Sequence, residues 1–226
     1  MKLFIFDCDG TLVDSQHMIV AAMEGAFAAE GLPRPERGAV LDVVGLSLDL
    51  AVGKLMPGAP QERVHRTADA YKAAFHELRR NERHQEPLYE GVREALDMLR
   101  ARGDVVLGIA TGKSRRGLDI VLDREGLRDH FVTLQTSDTH PSKPHPSMIH
   151  TAMAETGAGP ERTLMIGDTT YDMEMAQAAG VAALGVAWGY HAASDLKRAG
   201  ATTVLKESRM LGPALAELLG MMERTG

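Results

Sequence analysis

Five short apolar runs and a weaker sixth limit the fold of this chain more than any other feature. The five are LFIF (3–6), VVLGIA (105–110), FVTLQ (131–135), TLMIG (163–167) and VAALGVA (181–187), and the sixth is TTVL (202–205). They are continuous rather than alternating. A strand with one face in water alternates, whereas a strand covered on both faces, as in a parallel sheet, does not. Helical patterns lie between the runs. VREALDMLRARG (92–103) carries apolar residues at helical spacing and ends in glycine, and PSMIHTAMAETG (146–157) opens with proline and also ends in glycine. YDMEMAQAAG (171–180) and the segment 192–200 read as helices too. Strand–helix alternation from residue 87 onward predicts an α/β fold with a doubly wound parallel sheet.

The segment 15–86 breaks the alternation. SQHMIVAAMEGAFAAEGL, LSLDLAVGKLM and QERVHRTADAYKAAFHELRRNE all read as helices, separated by the turn-rich PRPERG and PGAP. No convincing strand lies among them. The expectation is an α/β core of residues 1–14 and 87–226, with an all-helical insert at 15–86 directly after the first strand.

Composition removes several function classes. The 226 residues are 44% hydrophobic and 25% charged, which suits a soluble globular protein, and the net charge of −6 argues against a nucleic-acid partner. The single cysteine, Cys8, cannot form an internal disulfide and suits a reducing compartment. MKLFIFD reaches acids too soon for a signal peptide, and no run approaches the length of a membrane span. A cytoplasmic protein without a membrane partner is expected, acting on a small molecule; monomer and homodimer both stay open.

In open α/β sheets, ligands bind beyond the carboxyl ends of the strands. Asp7, Asp9, Gly10 and Thr11 follow the first run, and Thr111, Gly112 and Lys113 the second. Past the third comes SKPHP with Lys143; after the fourth come Gly167, Asp168 and Asp172. The sheet would gather four carboxylates, a hydroxyl and one or two ammonium groups at one edge. Adjacent buried carboxylates need compensation, and oxygen ligands without histidine or cysteine suit Mg²⁺ rather than zinc. Thr111, neighbouring backbone N–H groups and Lys143 would hold an anion, and Lys143 could keep a crowded carboxylate ionised. Plainer readings exist. Asp168 suits a helix N-cap, though Asp172 lies inside the helical pattern, so capping explains the first better than the pair. Cys8 reads as a small buried residue pointing away from the site. Arg79, Arg80 and Arg83 read as a solvated helix face, or as substrate readers if that face borders the cleft.

DxDGTLVDS, a threonine after the second strand, a lysine before proline and GDxxxD, in that order, resemble the haloacid dehalogenase superfamily over essentially the whole chain. The helical insert after the first motif is similar to the C1-cap subfamily, home of phosphoglycolate-phosphatase-like enzymes. The resemblance implies a Rossmann-like core with a helical cap, and Mg²⁺-dependent hydrolysis of a small phosphate monoester. It makes Asp7 the nucleophile and Asp9 the general acid and base. It gives Mg²⁺ to Asp7, the Asp9 backbone carbonyl and Asp168, with Asp172 in support, and the phosphoryl oxygens to Thr111 and Lys143. Gly10 and Gly112 lie where the chain must approach the substrate, and Ser47 lies in the presumed specificity loop. Phosphoglycolate leads as substrate, with sugar phosphates and nucleoside monophosphates close behind. Three alternatives stand beside it. A β-phosphoglucomutase-like mutase would need an arginine where Gly45-Leu46-Ser47-Leu48 has leucine. A dehalogenase is opposed by Asp9. A non-catalytic binding module is opposed by the intact set Asp7, Asp9, Lys143 and Asp168.

Overall fold

The computed structural model describes residues 1–80 and 86–224. Its centre is a six-stranded, wholly parallel sheet in the order β3-β2-β1-β4-β5-β6. The strands are β1 (Lys2–Phe6), β2 (Val105–Thr111), β3 (Phe131–Thr136), β4 (Thr163–Gly167), β5 (Ala182–Val186) and β6 (Thr203–Leu205). Each matches one of the apolar runs to within two residues at either end. Both faces of β1 are covered: Phe4 and Phe6 enter one apolar cluster, Leu3 and Ile5 the other. Burying such side chains contributes roughly 1.5–3 kcal/mol each, which is why a central strand reads as an unbroken apolar run.

Helices α5 (Val92–Arg100), α6 (Arg115–Arg124), α7 (Ser147–Thr156), α8 (Thr170–Ala179), α9 (Ala193–Arg198) and α10 (Leu211–Arg224) flank the sheet. On α5, Val92, Ala95, Leu96 and Leu99 are buried at helical spacing, and they share a cluster with Leu211, Leu215 and Leu219 of α10.

Between β1 and β2 the chain forms α1 (Gln16–Ala29), α2 (Arg37–Asp42), α3 (Leu48–Leu55) and α4 (Gln61–Arg79). Met18, Ile19, Met23 and Phe27 of α1 pack with Val64, Ala68 and Phe75 of α4 in a cluster separate from those on the sheet. Helix α2 begins inside the PRPERG stretch read as a turn. The Glu36 carboxylate makes that possible by accepting from Gly38 N and Ala39 N at 2.9 and 2.8 Å, which caps the helix start.

Strand order reverses at β1: β2 and β3 run outward on one side, and β4 to β6 on the other. The crevice at this switch point opens between the ends of β1 and β4. Asp7 N bonds Ile166 O there at 2.9 Å, so the segment after β1 stays locked to β4.

Candidate active site

Asp7, Asp168 and Asp172 meet in that crevice, all fully buried, each with an oxygen within 4.8 Å of the others. Their surroundings differ. Asp168 accepts from Thr11 Oγ1 at 2.9 Å and from Tyr190 N at 2.9 Å, through separate oxygens. Asp172 gives one oxygen to Lys143 Nζ at 2.6 Å and the other to Thr169 N and Oγ1 at 3.1 and 2.7 Å. Asp7 Oδ1 stands 2.9 Å from Lys143 Nζ as an ion pair, while its Oδ2 has no hydrogen-bond partner. A buried carboxylate with an oxygen left open is costly unless a cation completes it. The donor set around it is oxygen only, so the site fits a hard divalent ion such as Mg²⁺.

The electrostatics agree. Burial pushes the Asp7 carboxyl up to about 6, against the pull of the Lys143 ammonium and with a further push from Asp172. Burial, then the neighbouring Asp7 and Asp172 charges, also raise Asp168 well above the usual carboxylate range. Negative charge is in excess among the three acids, and one lysine does not offset it.

Asp9 lies outside this trio. Its carboxylate takes both oxygens to Lys113 Nζ, at 2.7 and 3.0 Å. Burial pushes its pKa up, but the Lys113 charge and hydrogen bond outweigh that and hold it below the ordinary value. Lys113 also reaches Glu86 at 2.9 Å, and Glu86 pairs with Arg79 at 2.8 Å. A buried chain of alternating charge therefore runs from the end of α4 to the end of β1. Gly10, at φ +85°, turns the backbone where any Cβ would strike the Asp168 carboxylate and the Tyr190 ring.

Thr111 closes β2 with its side chain buried, and its Oγ1 accepts from Lys113 N at 3.2 Å. Gly112 lies directly beneath the insert: a Cβ there would stand 2.5 Å from Gly45 O and 2.6 Å from Leu46 O. Ser47 N donates to Ser142 Oγ at 2.8 Å, and Tyr171 Oη donates to Asp42 O at 3.0 Å. The insert thus rests on the core along the strand ends. A cavity of about 420 Å³ lies between them, bordered by Asp7, Asp9, Thr111, Gly112 and Ser47.

Residues 4–186 match the family model described as "Haloacid dehalogenase-like hydrolase". A probable phosphatase IndB of Dickeya dadantii is 37% identical over 96% of this chain and 94% of its own length. A phosphoglycolate phosphatase of Pseudomonas putida is 29% identical over 96% of this chain and 80% of its own. The crystal structure of a hydrolase from Pseudomonas syringae superposes with a TM-score of 0.85 at 28% identity, covering 96% of this chain and 99% of that one.

The chain belongs to the haloacid dehalogenase-like hydrolases.

In this haloacid dehalogenase-like hydrolase, the residues singled out from sequence fall into three places. Asp7, Lys143, Asp168 and Asp172 form one buried cluster, Asp9 faces Lys113, and Thr111, Gly112 and Ser47 line the cavity. Two readings change. Helix α8 is capped by Thr169, not Asp168, in a capping box that uses Asp172 as its third residue. This frees Asp168 for the crevice and explains why Asp172 sits inside the helical pattern. Arg79 is no solvated residue: its side chain is 16% exposed and bonded to Glu86, whereas Arg80 remains on the surface and Arg83 lies outside the described residues. Glu86 itself gave no sequence signal, because its partners lie seven and twenty-seven positions away. Lys113 was visible only by its place after a strand. Cys8 is buried in the apolar cluster beneath the sheet end, as a small residue turned from the site.

Proposed function

We propose that this protein hydrolyses small phosphate monoesters with Mg²⁺, through an aspartyl-phosphate on Asp7. The observation that carries the reading is the Asp7 carboxylate, buried, paired with Lys143 through one oxygen and open at the other. Asp7 and Asp168, with the Asp9 backbone oxygen, would hold the ion, and Asp172 would orient Lys143 and the ion's waters. The ion would supply charge neutralisation for the transferring phosphoryl group.

Asp7 attacks phosphorus, and the bond to the leaving oxygen breaks as that oxygen takes a proton from Asp9. Asp9 then receives a proton from water. The water oxygen attacks phosphorus, frees Asp7 and releases inorganic phosphate. Without substrate, Lys113 holds Asp9 ionised. A phosphoryl dianion bound at Thr111 competes for the same ammonium, which allows Asp9 to carry the proton the leaving group needs. The helical insert acts as a cap that closes over the substrate and excludes water. Phosphoglycolate, sugar phosphates and nucleoside monophosphates belong to the substrate class, and the lone buried cysteine supports a cytoplasmic setting. No helix among the described residues is long and apolar enough to cross a membrane. Leu48 lines the cavity where a mutase would need an arginine, which supports hydrolysis over isomerisation.

Free-phosphate release over a panel of small esters, with Mg²⁺ and with EDTA, tests the reading. Release from one or more esters, abolished by EDTA, is expected. Conversion of a sugar phosphate to its isomer without phosphate release would replace hydrolase by mutase.

A further inference from the structure

The cavity beside Asp7 and Asp9 is larger than a two-carbon phosphoester requires. Its volume of about 420 Å³ lies among pockets that enclose drug-sized ligands. Much of its wall is apolar, with Ile19, Met23, Val40, Leu48, Tyr71 and Phe75 among the lining residues. Tyr71 and Phe75 stand one turn apart on α4 with ring centroids 5.7 Å apart and planes tilted by 40°. Both rings line the cavity, Tyr71 the more exposed of the two.

The cations of the cavity are placed to match. The deep ones, Arg79 and Lys113, are bound to Glu86 and Asp9 and lie 4.7 and 5.4 Å from the Phe75 ring centre. Lys72, His76 and Arg116 are exposed at the mouth, and Lys72 pairs with Asp69. A carboxylate carried next to the phosphoester would find the deep cations already bound to Glu86 and Asp9, and would have to reach the exposed Arg116 to meet another. A ring would meet rings, in the offset or edge arrangement that aromatic pairs favour.

We propose that the preferred substrates are phosphate monoesters whose leaving group carries an aromatic or heteroaromatic ring, packed on Tyr71 and Phe75 while the phosphoryl group sits at Asp7. This rests on the hydrolase reading above. The test compares kcat/KM, with Mg²⁺, for benzyl phosphate, uridine 5′-monophosphate and phosphoglycolate. The three leave from primary alkyl oxygens, so differences report on binding of the leaving group. Both ring esters should exceed phosphoglycolate by ten-fold or more, and that ratio should fall at least three-fold in Tyr71→Leu and in Phe75→Leu. A ratio within one enzyme is independent of how much of it is folded, so partial misfolding of a variant does not disguise the result. A smaller wild-type preference, or a ratio unmoved in both variants, overturns the proposal and leaves the hydrolase reading intact. No phosphate from any of the three, nor from acetyl phosphate, overturns the hydrolase reading and this one with it.

Discussion

Asp7 is the residue at which stability and proposed catalysis pull apart. Its carboxyl is raised from 3.8 to about 6, chiefly by burial, so the folded chain holds this proton more tightly than the unfolded chain does. The stability so gained is present in full below about pH 4 and is lost as pH rises through about 6. The gap corresponds to on the order of 3 kcal/mol. Asp7→Asn removes the ionisable group and keeps the shape. In EDTA, the variant should melt above the wild type, by a margin that grows between pH 4.5 and pH 7.5, and it should release no phosphate. Mg²⁺ should raise the wild-type melting temperature more at pH 7.5 than at pH 5, because protons compete with the ion for Asp7. Thermal melts across this range check the argument, and parallel curves for the two proteins would remove its basis. The sequence made the acid pair conspicuous, and the family resemblance gave each acid a role, but neither showed which lysine each one faces. Asp7 and Asp9 stand two residues apart, yet one turns to Lys143 and the other to Lys113, and spacing alone does not distinguish two ammonium groups contributed by different loops.

Elements were legible where burial writes itself into a continuous run, and illegible where one distant side chain decides. The strands show this plainly: β4 coincides with TLMIG residue for residue, because both of its faces are covered. Helix α2 is short, and its start depends on the Glu36 cap, so a stretch with two prolines and a glycine reads as turn. The end of α4 is the sharper case. Arg79 follows a polar helical pattern, but Glu86 beyond the helix draws it inward, and Lys113 from the core completes the cluster. Glu86 is fully buried with one cation on each oxygen, and Arg124 donates to its backbone oxygen. Removing a partner from such a cluster leaves uncompensated buried charge, at a cost of about 3–5 kcal/mol. Glu86→Gln should therefore lower the melting temperature by several degrees. A cycle with Arg79→Met should show coupling of about 1–3 kcal/mol, as for residues in one network. Additive effects in denaturant melts would mean that the Arg79–Glu86 contact carries no stability of its own.

At the scale of the whole molecule, the insert and the core touch where the proposed chemistry takes place. The Gly45–Leu46 backbone lies over Gly112, Ser47 bonds Ser142, and Asp42 takes the Tyr171 hydroxyl. The same loop that brings Leu46 and Leu48 to the cavity is thus seated on the turn that follows Thr111. Gly112 carries this seat through its missing side chain. Its φ is not positive, so an alanine meets no backbone strain in the core itself. The conflict lies across the interface, where a Cβ would come within 2.5 and 2.6 Å of two backbone oxygens that no rotamer change can move. In Gly112→Ala the loop must lift, which opens the cavity to water and draws Leu46 and Leu48 away from a bound ester. Neither the sheet nor the α1–α4 cluster is touched, and the alanine restricts the unfolded chain slightly, so the melting temperature should change by only about 2 °C or less. Turnover behaves differently, because a misplacement of about 1 Å in a closing element costs on the order of 100-fold. The expected result is kcat/KM reduced about 100-fold at nearly unchanged stability. Wild-type kcat/KM in Gly112→Ala would show that closure onto this turn is not required for the reaction, and would return Gly112 to the role of an ordinary turn glycine.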